Sequence, residues 1–332
     1  MDKDARIWVA GAGTFIGSAI LSRLEEVGFT YVASAANEPD LSDQSAVDDF
    51  FAAFHPEYIF LAAGRSGGIA ANLRYPADLM RDNLLVQCNV IRSAFRYGVR
   101  KLVNLASSCS YPRLAPQPIP EDALLTGPLE PTNEAYAVAK IAGIKLCQAY
   151  SQQYGARFVT AIPANVFGPG DDFSLEESHV IAALIRKMHE AKLAGRDEVE
   201  VWGTGKPRRE FIFVRDLASA CLFVMSHYDG TEPINLGTGV EISIGELAEA
   251  VRDAVGFSGH IRFDATKPDG VPRKVLDSSK LHRLGWRPET GFGEALAETY
   301  AWYLRSEREM QPDMAGSSIW KTRRRSRVVG AL

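Results

Sequence analysis

A doubly wound α/β fold on a parallel sheet, with a second, smaller α/β lobe, is what three features of this 332-residue chain predict. Short apolar strand-like runs alternate with helix-period runs from Arg6 to Ile162, and strands separated by helices pair in parallel with crossovers on both faces. The first strand-like run opens directly into a glycine-rich turn, Gly11 to Gly17, and then a helix. Beyond Gly168-Pro169-Gly170 the alternation breaks into short polar pieces, which marks a change of lobe.

Taken in order, Arg6–Ala10 reads as a buried strand, and Ile16, Ile20, Leu21, Leu24 and Val27 then recur on one helical face. Strand-like Tyr31–Ser34, helix-like Ser45–Phe54, strand-like Tyr58–Ala62, a long helix over Pro76–Tyr97 and the strand Lys101–Ala106 follow. A helix beginning near Tyr136 and a strand over Phe158–Ile162 complete the regular part. Later come a helix over Val214–His227, a strand at Ile234–Leu236, and helices over Ile244–Val255 and Glu294–Leu304. The expected division is a Rossmann-like dinucleotide-binding domain over 1–166 and 214–241, a substrate lobe over 167–213 and 242–310, and a flexible tail over 311–332.

In such sheets ligands bind beyond the carboxyl ends of the strands. The turn residues Gly11, Gly13, Thr14, Phe15, Ile16 and Gly17 are therefore the first cofactor candidates. Glycine lets the backbone approach a pyrophosphate, and the helix start offers it unpaired amides and a positive dipole end. Asp40, Leu41, Ala62 and Ala63 fall at or past the next strand ends, where adenine or ribose would lie.

Composition excludes several function classes. A net charge of −4 argues against a nucleic-acid surface. The one dense basic run, Lys321–Arg327, reads as a solvated tail. Cys88, Cys109, Cys147 and Cys221 form no Cys-x-x-Cys, and the histidines show no ligand spacing with them, so no metal site is expected. No apolar run is long enough to span a bilayer and Met1–Arg6 has no signal-peptide pattern, so a cytoplasmic location is expected.

The chemistry concentrates between Ser107 and Lys140. Tyr136 and Lys140 are one helical turn apart and share a face. A lysine cation there is expected to lower the phenol pKa, making Tyr136 a proton donor or acceptor for a carbonyl or alcohol oxygen. Ser107, at the mouth of the preceding strand, would add a second hydrogen bond to that oxygen. A second Tyr-x-x-x-Lys, Tyr97 and Lys101, contains Gly98 and runs into a strand, so it reads as a chance occurrence.

The glycine turn, Ser107 and the Tyr136/Lys140 pair resemble the extended short-chain dehydrogenase/reductase family. The strings Ser107–Pro112, Leu129–Glu134, Ala139–Lys145, Ser178–Ile181, Arg209–Phe211 and Lys267–Lys274 narrow the resemblance to the GDP-L-fucose synthase family, over roughly Arg6 to Tyr303. The resemblance implies a homodimer that takes GDP-4-keto-6-deoxy-mannose, inverts carbons 3 and 5, and reduces the 4-keto group with NADPH. It also implies Cys109 and His179 as the acid/base pair of the inversion; Lys140, Pro163, Asn165, Val166 and His179 as cofactor contacts; and Ser108, Asn165, Lys187, Trp202, Arg209, Asp269 and Arg273 as substrate contacts. Two other readings stand beside it: a GDP-hexose epimerase without net reduction, and a non-catalytic nucleotide-binding homologue.

The chain also departs from the pattern. Thr14 holds the middle glycine position, and an arginine that meets the 2′-phosphate of NADPH falls at Gly13. Basic residues after the second strand are replaced by Ala35-Ala36-Asn37, and an active-site arginine by Lys187. Arg65 and Ser66 stand where the family has Lys and Val near the substrate. These departures predict weak discrimination between NADPH and NADH, with NAD a possible cofactor beside NADP.

Overall fold

The structure, a computed structural model, describes residues 1–33, 36, 38–174, 178–267 and 269–310. Expectations for Ser34, Ala35, Asn37, the tail over 311–332 and the basic run within it lie outside the described residues.

The first half alternates as the sequence predicts: β1 (Ile7–Ala10), α1 (Phe15–Glu26), β2 (Val32–Ala33), α2 (Gln44–Phe54), β3 (Tyr58–Leu61), α3 (Ile69–Arg74), α4 (Pro76–Arg96), β4 (Lys101–Leu105), α5 (Glu134–Tyr154) and β5 (Phe158–Pro163). Next come β6 (Asn165–Phe167), α6 (Val180–Leu193), β7 (Glu198–Trp202), β8 (Arg208–Phe213), α7 (Val214–His227) and β9 (Ile234–Leu236). The chain continues with β10 (Glu241–Ser243), α8 (Ile244–Val255), β11 (His260–Asp264), β12 (Arg273–Lys274), α9 (Ser279–Arg283) and α10 (Phe292–Met310).

A six-stranded sheet runs β2-β1-β3-β4-β5-β9, every pairing parallel. Chain direction across the sheet reverses at β1, so a crevice opens beyond the carboxyl ends of β1 and β3. All four β1 residues are buried because both faces are covered. Ile7 and Val9 pack with Ile20, Leu24, Leu217 and Val224 on one face. Trp8 and Ala10 pack with Val47, Phe51, Val90 and Ile91 on the other. Each such fully buried aliphatic or aromatic side chain stabilises the fold by about 1.5–3 kcal/mol.

The second lobe has its own core, with Phe167, Ile181, Ile185 and Met188 against Val199, Val201, Leu247 and Val251. β8 is central here: it pairs with β10 antiparallel, and with β12 and β6 in parallel. β7 and β11 form a separate parallel pair. Helix α8 starts at a capping box between Ser243 and Glu246, which satisfies amides at both positions.

The structure adds elements that the sequence reading leaves as polar pieces, above all α6. Its apolar positions Ile181, Leu184, Ile185 and Met188 do have helical spacing. The break at Gly168-Pro169-Gly170 hides them, because the helix begins only at Val180. Strand β6 has only three residues, β7 alternates charged and apolar residues over five, and β8 carries Arg208, Arg209 and Glu210 in its first half, so the apolar signal there is weak. The Tyr97/Lys101 repeat is structural: Lys101 starts β4, is 1% exposed, and donates to Val224 O at 3.0 Å and Asp229 at 3.0 Å.

Candidate active site

The glycine turn closes on itself and on β3. Gly11 has φ +90°, and a Cβ there would lie 2.6 Å from the Ala63 backbone. A Cβ on Gly17 would lie 1.9 Å from Gly11 O. Neither position accepts a side chain, and the backbone is left as a cradle at the crevice. Thr14 caps α1: its Oγ1 accepts from Gly17 N at 3.1 Å and donates to Gly11 O at 2.8 Å. A threonine therefore replaces the middle glycine without opening the turn. Gly13, Thr14, Phe15 and Ile16 keep exposed surface, while Gly11 and Gly17 are buried beneath them. A dinucleotide pyrophosphate fits this arrangement.

Ala62 and Ala63 follow β3 directly, with Ala63 forming the wall behind Gly11. Asp40 bonds within its own turn, accepting from Ser42 N at 2.9 Å and Ser42 Oγ at 2.6 Å. Leu41 O accepts from Asn89 at 2.9 Å. The sequence reading misses Glu38, whose carboxylate accepts a hydrogen bond from Gly11 N. Its pKa is raised, chiefly by burial, against bonds from the Gly11 and Ala12 amides. The sequence signal for it is an acid about 20 residues beyond the turn, directly after Ala35-Ala36-Asn37.

At the carboxyl end of β4 the chain turns through a short helical segment, and Ser107 Oγ caps it by accepting from Cys109 N at 3.2 Å. Tyr136, in the first turn of α5, is hydrogen-bonded to Ser107 and lies beside Cys109. Lys140 Nζ sits 5.8 Å from the Tyr136 ring centre and donates to Leu105 O at 3.3 Å. The expected pairing is present, but its electrostatics are reversed. Burial pushes the Tyr136 phenol up, the neighbouring Cys109 sulfur adds to this, and only the Ser107 bond opposes it. Lys140 is itself pushed down to about 8 by burial, so a desolvated ammonium bound to a carbonyl does little to ionise the phenol. Tyr136 is accordingly held as a protonated phenol, the form a proton donor needs.

Cys109 has two partners absent from the sequence reading. Asn133 Nδ2 donates to its Sγ at 3.2 Å, and Lys274 Nζ reaches it at 3.7 Å from β12. Lys274 lies 165 residues away in sequence, and only the fold brings it there.

His179 stands at the start of α6 without capping it and faces a cavity of about 340 Å3. Asn165, Val166, Lys187, Trp202, Arg209 and Asp269 line the same cavity, so six of the expected contacts converge with His179. Desolvation holds the imidazole below its ordinary pKa, with Asp172 opposing. Lys187 Nζ lies 5.7 Å and Lys267 Nζ 5.4 Å from the centre of the Trp202 ring, which is 62% exposed. Asp269 ties down the turn before β8, accepting from Thr204 N at 2.6 Å and Thr204 Oγ1 at 2.7 Å. Arg209 is lowered by desolvation and supported by Asp269. Asp171, which the sequence reading also misses, lines this cavity with a carboxyl raised to about 7, largely by burial.

Outside this cavity stand two expected substrate contacts, Arg273 and Ser108, and one expected cofactor contact, Pro163. Arg273 is committed to Glu241 at 2.6 Å, Ser108 is buried beneath the Ser107–Ser110 turn, and Pro163 is buried at the end of β5.

Residues 7–237 match the NAD dependent epimerase/dehydratase family. The chain belongs to that family. Among its relatives there, it is 54% identical to GDP-L-fucose synthase 1 of Arabidopsis thaliana, over 92% of this chain and 95% of that protein. It is 46% identical to GDP-L-fucose synthase of Escherichia coli, over 91% and 97% of the two chains. A solved structure of a GDP-L-fucose synthetase from Naegleria fowleri bound to NADP superimposes with a TM-score of 0.84 at 29% identity, over 93% of this chain and 96% of that one. The family match spans the six-stranded sheet, and the relatives extend the likeness through the second lobe.

Proposed function

We propose that this chain is an epimerase-reductase that converts GDP-4-keto-6-deoxy-mannose to GDP-L-fucose with a nicotinamide dinucleotide. The observation that carries this reading is the cluster at the end of β4, where Tyr136, Ser107 and a thiol with two hydrogen-bond donors meet. The extent of identity to GDP-L-fucose synthases supports the substrate.

Cys109, in the thiolate form to which Lys274 and Asn133 donate hydrogen bonds, removes a proton from a carbon beside the ketone and becomes a thiol. The resulting enolate oxygen accepts hydrogen bonds from Ser107 and Tyr136, which point at the place where charge develops. His179 returns a proton on the other face and completes the inversion. For that it must first be protonated, since the lowered pKa leaves it neutral at neutral pH. Tyr136 then donates its proton to the 4-oxygen as the ketone is reduced, and Lys140 holds positive charge beside it. The Gly11–Gly17 turn would hold NADPH, which would supply the hydride.

The cavity under α6 holds the GDP portion. Lys187 and Arg209 meet the diphosphate, Trp202 offers a ring face to the base, and Asn165 and Asp269 complete the polar lining. The division into a dinucleotide-binding domain over 1–166 and 214–241 and a sugar-nucleotide lobe follows from this assignment. A homodimer is assigned to the α4/α5 face, which exposes Leu85, Phe95, Val138 and Tyr154. A cytoplasmic location is part of this proposal, and no helix among the described residues is long and apolar enough to cross a membrane.

The reading is tested by mass spectrometry of the product from GDP-4-keto-6-deoxy-mannose and NADPH in D2O. GDP-L-fucose labelled at carbons 3 and 5, with one cofactor oxidised per product, is expected. Labelled ketone without cofactor oxidation would instead make the chain an epimerase.

A further inference from the structure

Lys274 reaches Cys109 from a very short strand. β12 pairs with β8 only through Arg273 against Arg208 and Lys274 against Arg209, and Arg208 N donates to Pro272 O at 2.8 Å. So brief a pairing does not by itself fix where a long side chain ends. The anchors lie just after it. Val275 N donates to Gln117 Oε1 at 2.9 Å, Ile119 N to Val275 O at 2.8 Å, and Asp277 N to Ile119 O at 2.9 Å. Between those bonds, Leu276 N donates to Glu210 Oε2 at 2.8 Å.

Glu210 is 1% exposed and follows Arg209 on β8. Its Oε1 accepts from Gly239 N at 2.8 Å and Thr238 Oγ1 at 3.5 Å. A Cβ on Gly237 would lie 2.3 Å from that oxygen, so the backbone after β9 closes directly on the carboxylate. Burial pushes the Glu210 pKa up, and the bonds from the Leu276, Gly239 and Thr238 amides oppose this. An ionised carboxylate only accepts, which suits a pocket whose partners donate. A glutamine of the same length would turn its NH2 group toward an amide.

Two neighbours on β8 thus have separate tasks. Arg209 lines the cavity under α6, whereas Glu210 is not among the residues lining it and instead grips the segment that carries Lys274. The Lys274 ammonium at 3.7 Å favours the thiolate of Cys109, and a small displacement of such a group weakens its effect. We propose that Glu210 is a positioning residue for proton removal, anchoring the chain after β12 so that Lys274 is held against Cys109. The proposal rests on the reading of Cys109 as the base of the inversion.

The test follows alkylation of Cys109 by iodoacetamide at neutral pH in the full-length protein, read by peptide mass spectrometry, which needs no substrate. Lys274→Met should slow it by about tenfold, the size of one charge-dependent hydrogen bond, and Glu210→Gln by about threefold to tenfold. The double variant should be no slower than Lys274→Met, because Glu210 acts through Lys274. Deuterium uptake at carbons 3 and 5 of GDP-4-keto-6-deoxy-mannose should fall in the same order. Alkylation of Glu210→Gln at the wild-type rate, or a double variant slowed by the product of the two single effects, overturns the role of Glu210. If circular dichroism shows that Glu210→Gln does not fold, Glu210→Asp carries the test. It keeps the charge but draws the acceptors back by one methylene, and a wild-type alkylation rate in it overturns the role equally. Absence of deuterium uptake by the wild-type protein would overturn the epimerase reading, and the part of Glu210 in proton removal with it, whatever the alkylation rates.

Discussion

The two halves of the site are built differently. The cofactor side uses backbone: two glycines that admit no side chain, a threonine cap, and strand ends that follow one another within about 60 residues of the start. The sugar side uses side chains gathered from afar, with Lys274 meeting Cys109 across 165 residues and Asp269 meeting Thr204 across 65. A backbone site tolerates exchange at its rim, as Thr14 and Gly13 show, whereas a side-chain site changes chemistry with each residue. The groups proposed to react, Ser107, Cys109 and Tyr136, lie past the end of β4 and in the first turn of α5.

This contrast can be broken or sharpened by substitution. Tyr136→Phe removes the proton donor and leaves the ring, so ketone reduction should fall by about 10²–10⁴-fold, measured in single-turnover assays. Near-normal reduction would remove the phenol from the mechanism. Reduction in the wild type should also decline about tenfold per pH unit above pH 8, because Lys140, lowered to about 8 by burial, loses its charge there. The raised Tyr136 phenol stays protonated through the same range, so a decline that starts only well above pH 10 would assign it to the phenol instead. His179→Gln should let products inverted at one carbon or none accumulate, read by proton NMR, and a normal product mixture would place the acid elsewhere. The smallest effect belongs to the scaffold. A Cβ on Gly143 would lie 1.9 Å from Gln87 Oε1 between α4 and α5. Gly143→Ala should therefore cost about 1–3 kcal/mol in chemical denaturation and leave kcat unchanged.

The cofactor half was legible because its signals are local. Apolar strands, the Gly11–Gly17 turn and the Tyr136/Lys140 spacing all fall within short windows, and the strands formed within a residue or two of expectation. Helix α6 escaped because Gly168-Pro169-Gly170 and the polar sequence after it separate its start at Val180 from the preceding strand. Asn133 and Lys274 escaped because no pattern in the sequence says which residues will face a thiol; that is decided by how β12 pairs with β8. The direction of the Tyr136 shift was misread for a related reason. Spacing shows that a lysine is near but not that burial outweighs it, and burial belongs to the assembled fold.

The central claim is that inversion and reduction share a site and Tyr136, but that proton removal for inversion uses Cys109, which reduction does not need. The direct measurement is the fate of GDP-4-keto-6-deoxy-mannose with Cys109→Ala and NADPH in D2O, following isotope content and cofactor oxidation together. The account predicts no deuterium at carbons 3 and 5 and continued oxidation of cofactor, as the unepimerised ketone is reduced directly. Deuterium uptake at the wild-type rate, or loss of reduction in step with exchange, would contradict it.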